Sequence, residues 1–338
     1  MKRSVLFSFL FLAASAFAQQ PPTLDESAKF LAGLPVNGPL APMMQNEAWK
    51  NHAFALDEAW KKKAYFQLEP IRGFMNENAS EYYNSTNTVY YMFGGPDFLY
   101  AHTFYPNANT YILAGLEPVG QVPDLSRLSP EMMAGGLSAL RASMQTVLKT
   151  HYFITKDMRA DLGRGNFSGT LPILYVFLAR SGCTVLDTTY VKSPAEGVKI
   201  TFVHHGPKQT LYYFKTDLSG GKSPFLSWCA KLGPGLSLLK AASYLMHTPG
   251  FDGVRNFLLE NSRVIIQDDS GLPLRAFTKG WTVNFYGRYV PHAEMFGKYH
   301  QPDLAAIYAK NPPPPDLGFA FGYHWQAERG LLMMGTRK

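Results

Sequence analysis

The segment Gln267-Asp268-Asp269-Ser270-Gly271 gathers reactive side chains more densely than any other part of the chain. Two carboxylates, a hydroxyl and a glycine follow the apolar run Val264-Ile265-Ile266. At the end of a buried strand such a pair can act as general acid and base, or hold a hard cation such as calcium. The plainer alternative is an Asp-rich turn that caps the next segment. Asp268 and Asp269 are the catalytic candidates, Ser270 is a ligand-binding neighbour, and Arg275 is the cation that would hold one carboxylate ionised. Glu117, which follows the apolar run Tyr111 to Leu116, is the third acidic candidate.

A second constellation is Gly94-Gly95-Pro96-Asp97. Thr88 to Phe93 is β-branched and aromatic, which predicts a strand. The glycines break it, and Pro96 suits a first helical position, where its missing N–H costs nothing. A short helix to about Tyr105 and a strand from Tyr111 complete a βαβ unit, whose right-handed crossover makes the strands parallel. This stretch resembles the opening unit of Rossmann-type folds, and methyltransferases of that type also end their second strand on an acidic residue. The resemblance implies a fold. The spaced glycines of G-x-G-x-x-G are absent, and Asp97 puts a negative charge where a phosphate would sit. No motif identifies a cofactor. Open α/β sheets bind ligands beyond the carboxyl ends of their strands, so Gly94, Gly95 and Asp97 are candidate ligand-binding residues. If the strand before Asp268 runs parallel to the other two, these residues share one face with Glu117, Asp268 and Asp269.

Other chemistries find no pattern. Gly221-Lys222-Ser223 mimics the end of a P-loop, but Thr216 stands where the first glycine is needed. There is no G-x-S-x-G elbow and no H-E-x-x-H, and His292, Glu294 and His300 lack the spacing of a metal motif. His204 and His205 are adjacent on an expected strand, should face opposite sides, and so cannot share an ion. No metal is expected. The net charge of +7 comes from scattered lysines and arginines, apart from Lys61-Lys62-Lys63. Without a basic stripe it argues against nucleic acid and fits mild attraction to an anionic envelope.

The elements that must position these groups alternate in type. Helices are expected over residues 25–31, 47–63, 129–150 and 172–180, the second with Trp49, Ala53, Leu56 and Trp60 on one stripe. Strands follow at 184–191, 198–205 and 210–217, the last two joined by a turn at Gly206 to Gln209. Helices return at 225–246, interrupted by Gly233-Pro234-Gly235, and at 253–261. Strands are expected at 263–267, 281–289, 319–324 and 331–336, with a polyproline spacer over Pro312 to Pro315. The sum is an α/β fold: a mixed, partly parallel sheet with a Rossmann-like opening βαβ, covered by helices. A proline-rich leader and helical extension (19–84) precede a single α/β domain (85–338).

Compartment is read from the N-terminus. Lys2-Arg3, the apolar stretch Val5 to Ala14 and Ala16-Phe17-Ala18 predict a signal peptide over residues 1–18 and a periplasmic or secreted protein. In an oxidising compartment the two cysteines, Cys183 and Cys229, are expected to form a disulfide, worth roughly 4 kcal/mol in the chain-entropy treatment; the alternative is two separately buried thiols, each packed as a small hydrophobe. These readings support an extracytoplasmic hydrolase or transferase that acts on a glycan or other polar envelope molecule through carboxylates at strand ends. The alternative is a non-catalytic ligand-binding or scaffold protein on a degenerate Rossmann-like fold. The expected partner is a cell-envelope glycan or small polar ligand, with no nucleic acid and no transmembrane anchor after cleavage. Mass spectrometry of the exported protein should give a chain that starts at Gln19; full-length protein in the membrane fraction would refute this.

Overall fold

The computed structural model describes residues 20–153, 167–290, 294–323 and 326–338. The expected signal segment, His292 and His324 lie outside them. The strands are β1 (Val89–Tyr91), β2 (Thr110–Gly115), β3 (Thr184–Val191), β4 (Glu196–Val203), β5 (Lys208–Lys215), β6 (Gly235–Leu239), β7 (Ser262–Gln267), β8 (Trp281–Gly287) and β9 (Leu331–Arg337). They form one mixed sheet in the order β3-β4-β5-β2-β1-β6-β7-β9-β8. The core β5-β2-β1-β6-β7 is parallel, while β3-β4-β5 and β7-β9-β8 are joined antiparallel.

The helices are α1 (Leu24–Leu31), α2 (Glu47–Lys63), α3 (Glu69–Asn78), α4 (Phe98–Phe104), α5 (Pro130–Thr150), α6 (Leu171–Arg180), α7 (Pro224–Ala230), α8 (Asp252–Asn261) and α9 (Pro302–Tyr308). From β1 the chain passes to β2, then to the edge strand β3 and back inward through β4 to β5 beside β2, before it crosses to the other side of β1 for β6 and β7. Right-handed crossovers in opposite directions put their helices on opposite faces. Accordingly α4, α5 and α6 pack with Tyr91, Tyr111 and Leu238 on one face, and α7 and α8 pack with Tyr90, Ile112 and Ile265 on the other. The helical N-terminal region joins the first face: Phe30, Leu56 and Phe74 lie in the same apolar cluster as Tyr91. Asp25 of α1 also accepts a hydrogen bond from the backbone of Val185 in β3 at 3.1 Å.

Four expectations are corrected. The helix expected to resume after Gly235 is instead β6, a central strand. Gly233, at φ +83°, ends α7, and a Cβ at Gly235 would overlap the Thr88 carbonyl, so glycine there lets β6 lie against β1. Residues 319–323 are not a strand; Gly318 and Gly322 have positive φ, and Phe319 and Phe321 pack inward as irregular chain. His204 and His205 do not point apart. β4 stops at Val203, His205 turns at φ +52°, and the two rings lie 4.4 Å apart between centroids. Among the described residues no group of three His, Cys, Asp or Glu side chains could hold a metal.

The fourth correction is the disulfide. Cys183 and Cys229 are free, buried thiols. They belong to the two apolar clusters on opposite faces, with the sheet between them. Each behaves as a small hydrophobe, and burial pushes both thiols far above their usual pKa. Unreduced protein should therefore show two reactive thiols in Ellman's assay once denatured, and almost none while folded. An oxidised pair in fresh protein would overturn this.

Candidate functional site

Beyond the carboxyl ends of β1, β2, β5 and β6 lies a cavity of about 660 Å³. It sits where the strand order reverses around β1, the place at which open α/β sheets leave a crevice. Gly94, Gly95, Asp97 and Glu117 line it, as do Leu116, Leu218, Lys240, Ser243, Tyr244 and Tyr323.

Glu117 is presented by β2. Its Oε2 lies 3.2 Å from the Tyr213 hydroxyl, which also donates to the Glu117 carbonyl at 2.9 Å. Burial and the Glu117 charge raise the Tyr213 pKa well above its usual value, so the hydroxyl remains a donor. Two glycines make room for the carboxylate. A Cβ at Gly115 would overlap Oε2 and stand 2.9 Å from the Gly95 Cα, and Gly95 itself turns at φ +57° with Oε2 just beside it. Among the described residues Oε1 has no hydrogen-bond partner.

Asp97 is placed differently. Its Oδ1 accepts from the Tyr100 amide at 3.2 Å and so caps α4. Its Oδ2 takes the Tyr91 hydroxyl at 3.0 Å and the Lys240 ammonium at 2.9 Å. Lys240, just past β6, is fully buried; its Nζ also bonds the His151 carbonyl and stands 3.4 Å over the Tyr100 ring centre. Burial lowers the Lys240 pKa, and Asp97 opposes that shift. This carboxylate is thus consumed by the lysine and by its own helix.

The acidic pair after β7 is also consumed. β7 runs parallel to β1 and β2 through β6, so its carboxyl end lies at the same sheet edge. Yet Asp268, Asp269 and Ser270 are buried and do not line the cavity. They hold the loop that does. Asp268 Oδ2 accepts from the Ala241 amide at 3.3 Å, Ser270 Oγ accepts from the Ala242 amide at 2.7 Å and donates to Asp268 Oδ1 at 2.6 Å. Tyr244 donates to Asp269 Oδ2 at 3.0 Å. Ala241, Ser243 and Tyr244 all have φ near +55°, a backbone region that costs non-glycine residues of order 1–3 kcal/mol each and clusters at working sites. Tyr323 completes the brace: its hydroxyl donates to the Ala241 carbonyl and accepts from the Ser243 amide, both at 3.1 Å. Gly322 is required beside it, since a Cβ there would overlap the Asp268 carboxylate. Arg275 is exposed on the short turn Leu274–Ala276, outside the cavity lining.

Lys240, Tyr213, Tyr323 and the loop after β6 are the residues that sequence reasoning missed. Gly115 was a usable signal, a glycine closing an apolar run two residues before an acid. Gly221-Lys222-Ser223 also finds its explanation: Ser223 Oγ caps α7 by accepting from the Leu226 amide at 3.1 Å.

Burial and the neighbouring Asp269 charge raise the Asp268 pKa from 3.8 to about 7. A carboxyl with a raised folded pKa contributes its stability at low pH and loses it as the pH climbs from about 4 to about 7. In thermal melts, Asp268→Asn should therefore gain about 3 °C or more on the parent protein between pH 4.5 and 7.5. A constant gap between the two melting curves would refute the assignment.

Compared with known proteins, the chain matches no family model, no curated protein and no solved structure.

Proposed function

We propose that the strand-end cavity binds a nucleoside through the Glu117 carboxylate, and that the protein is a transferase using a nucleoside-bearing molecule. The observation that carries this reading is Glu117 itself: a buried acid just past the second strand at the switch point, in the cavity lining, with one oxygen that has no hydrogen-bond partner among the described residues. That is where Rossmann-type folds hold ribose hydroxyls. Leu116 and Leu218 beside it offer an apolar seat for a flat base next to the diol.

Phosphate is disfavoured. The α4 amide that would meet it is already capped by Asp97, whose charge and buried lysine fill the turn. A nucleoside without phosphates at this point fits better than a dinucleotide. The strand series β5-β2-β1-β6-β7-β9-β8, with β9 reversed, also follows the order of Rossmann-type methyltransferase sheets. Such likeness speaks to fold, and the activity rests on the site. The transferase part rests on the strained loop 241–244, which reaches the same cavity with its backbone fixed from behind. A hydrolase working through Asp268 and Asp269 lacks such support, because both side chains face away into the loop's scaffolding. Export after Ala18 remains part of the proposal, with a polar envelope molecule as acceptor. A glycan is the second reading, since a sugar diol meets the same carboxylate.

Calorimetry separates these. Adenosine should bind, and 2′,3′-dideoxyadenosine should bind at least tenfold more weakly. Glu117→Ala should lose about tenfold in adenosine affinity while its melting temperature stays near that of the parent. Binding of N-acetylglucosamine but not adenosine would replace the nucleoside with a glycan. Equal adenosine binding by Glu117→Ala would overturn the site.

A further inference from the structure

A second cavity, of about 760 Å³, lies between α2, the π-helical turn Ala64–Leu68 and α5. Its volume is that of a small-molecule site. Lys62, Lys63, Arg141 and Lys149 line it, and Glu58 is the one acidic side chain in the lining. Glu58 is already engaged, with Lys61 Nζ 3.3 Å from its Oε1. Nη1 of Arg141 is buried and has no hydrogen-bond partner among the described residues. The rest of the wall combines apolar side chains, among them Leu56, Ala59, Phe66 and Leu148, with the polar Gln67, Ser138, Gln145 and His151. Phe66 is 65% exposed, so apolar surface continues to the mouth.

Four cationic groups around one cavity repel one another, and a buried guanidinium nitrogen without an acceptor is costly. We propose that this cavity binds an organic anion with an apolar tail, its headgroup on Arg141 between Lys62 and Lys149 and its tail along Leu56, Ala59 and Leu148. Lys63 lies at the inner end. Its ammonium is buried, bonded to the Val147 carbonyl at 2.9 Å and 2.6 Å from His151 Nδ1. Burial and the facing Lys240 charge lower its pKa to about 7, against the pull of Asp97. An anion nearby would favour its charged form.

The test is calorimetry on the full folded protein with octyl phosphate, octanoate, inorganic phosphate and 1-octanol. Octyl phosphate or octanoate should bind at least tenfold tighter than inorganic phosphate and than 1-octanol, and the tighter of the two identifies the headgroup. Arg141→Gln should weaken that binding at least tenfold. Lys149→Gln, on an exposed residue that can be changed without disturbing the core, should weaken it about threefold and covers the case in which Arg141→Gln fails to fold. Octanol binding as well as the anions would make the cavity merely apolar and sink the proposal. So would undiminished binding in the two variants, or no binding of either amphiphile.

Discussion

The need to keep one ammonium out of water organises the centre of this protein. A lysine at the end of a central strand is expensive to bury, and a single carboxylate rarely offsets the cost. Lys240 therefore draws on four elements: Asp97 before α4, the Tyr100 ring within it, the His151 carbonyl after α5, and Tyr91 of β1 through the shared Asp97 oxygen. Of these, Tyr91 and Asp97 line the strand-end cavity beside Lys240. The same demand explains why Asp97 sits in a turn that resembles a phosphate-binding loop and yet leaves no place for a phosphate.

The acidic residues thus divide by task. Asp97, Asp268 and Asp269 spend their oxygens on the protein's own backbone, lysine or tyrosine. Glu117 keeps an oxygen without a hydrogen-bond partner among the described residues, and two glycines clear the space its carboxylate occupies. A hydroxyl-rich ligand would find rigid surroundings here, because the loop after β6 is held from behind by Asp268, Ser270 and Tyr323.

What could be read in the chain follows from how local each signal is. The β1-α4-β2 unit was legible because a β-branched run, a glycine pair, a proline and a second apolar run all agree within a few residues. Glu117 came with it. β6 was hidden: Leu236 to Leu239 is too short to separate strand from helix by periodicity, and the preceding glycines looked like an interruption. Losing β6 also lost Lys240, which resembled an ordinary helical lysine. The positions of Asp268 and Asp269 at the end of a buried strand were legible, but the direction of their side chains was not. That direction is set by left-handed residues at Ala241, Ser243 and Tyr244, whose types carry no mark of such a conformation. The disulfide failed for a related reason, since pairing depends on which face of the sheet each cysteine joins.

The position of β1 has a kinetic consequence. It is the first strand among the described residues and lies in the middle of the sheet, with Val89 paired to Tyr111 on one side and Leu236 on the other. Its first partner arrives soon after it, whereas the second is contributed from far downstream, beyond the described helices α5, α6 and α7 and the strands β3, β4 and β5, which must find their own places. Pairings so distant in sequence form late, because the loop entropy must be met before the contact gives anything back. Until β6 arrives, a growing chain carries an open, apolar edge along β1, the kind of edge that recruits other chains. A truncation before β6 would therefore be expected to leave a sticky half-sheet rather than a smaller stable domain.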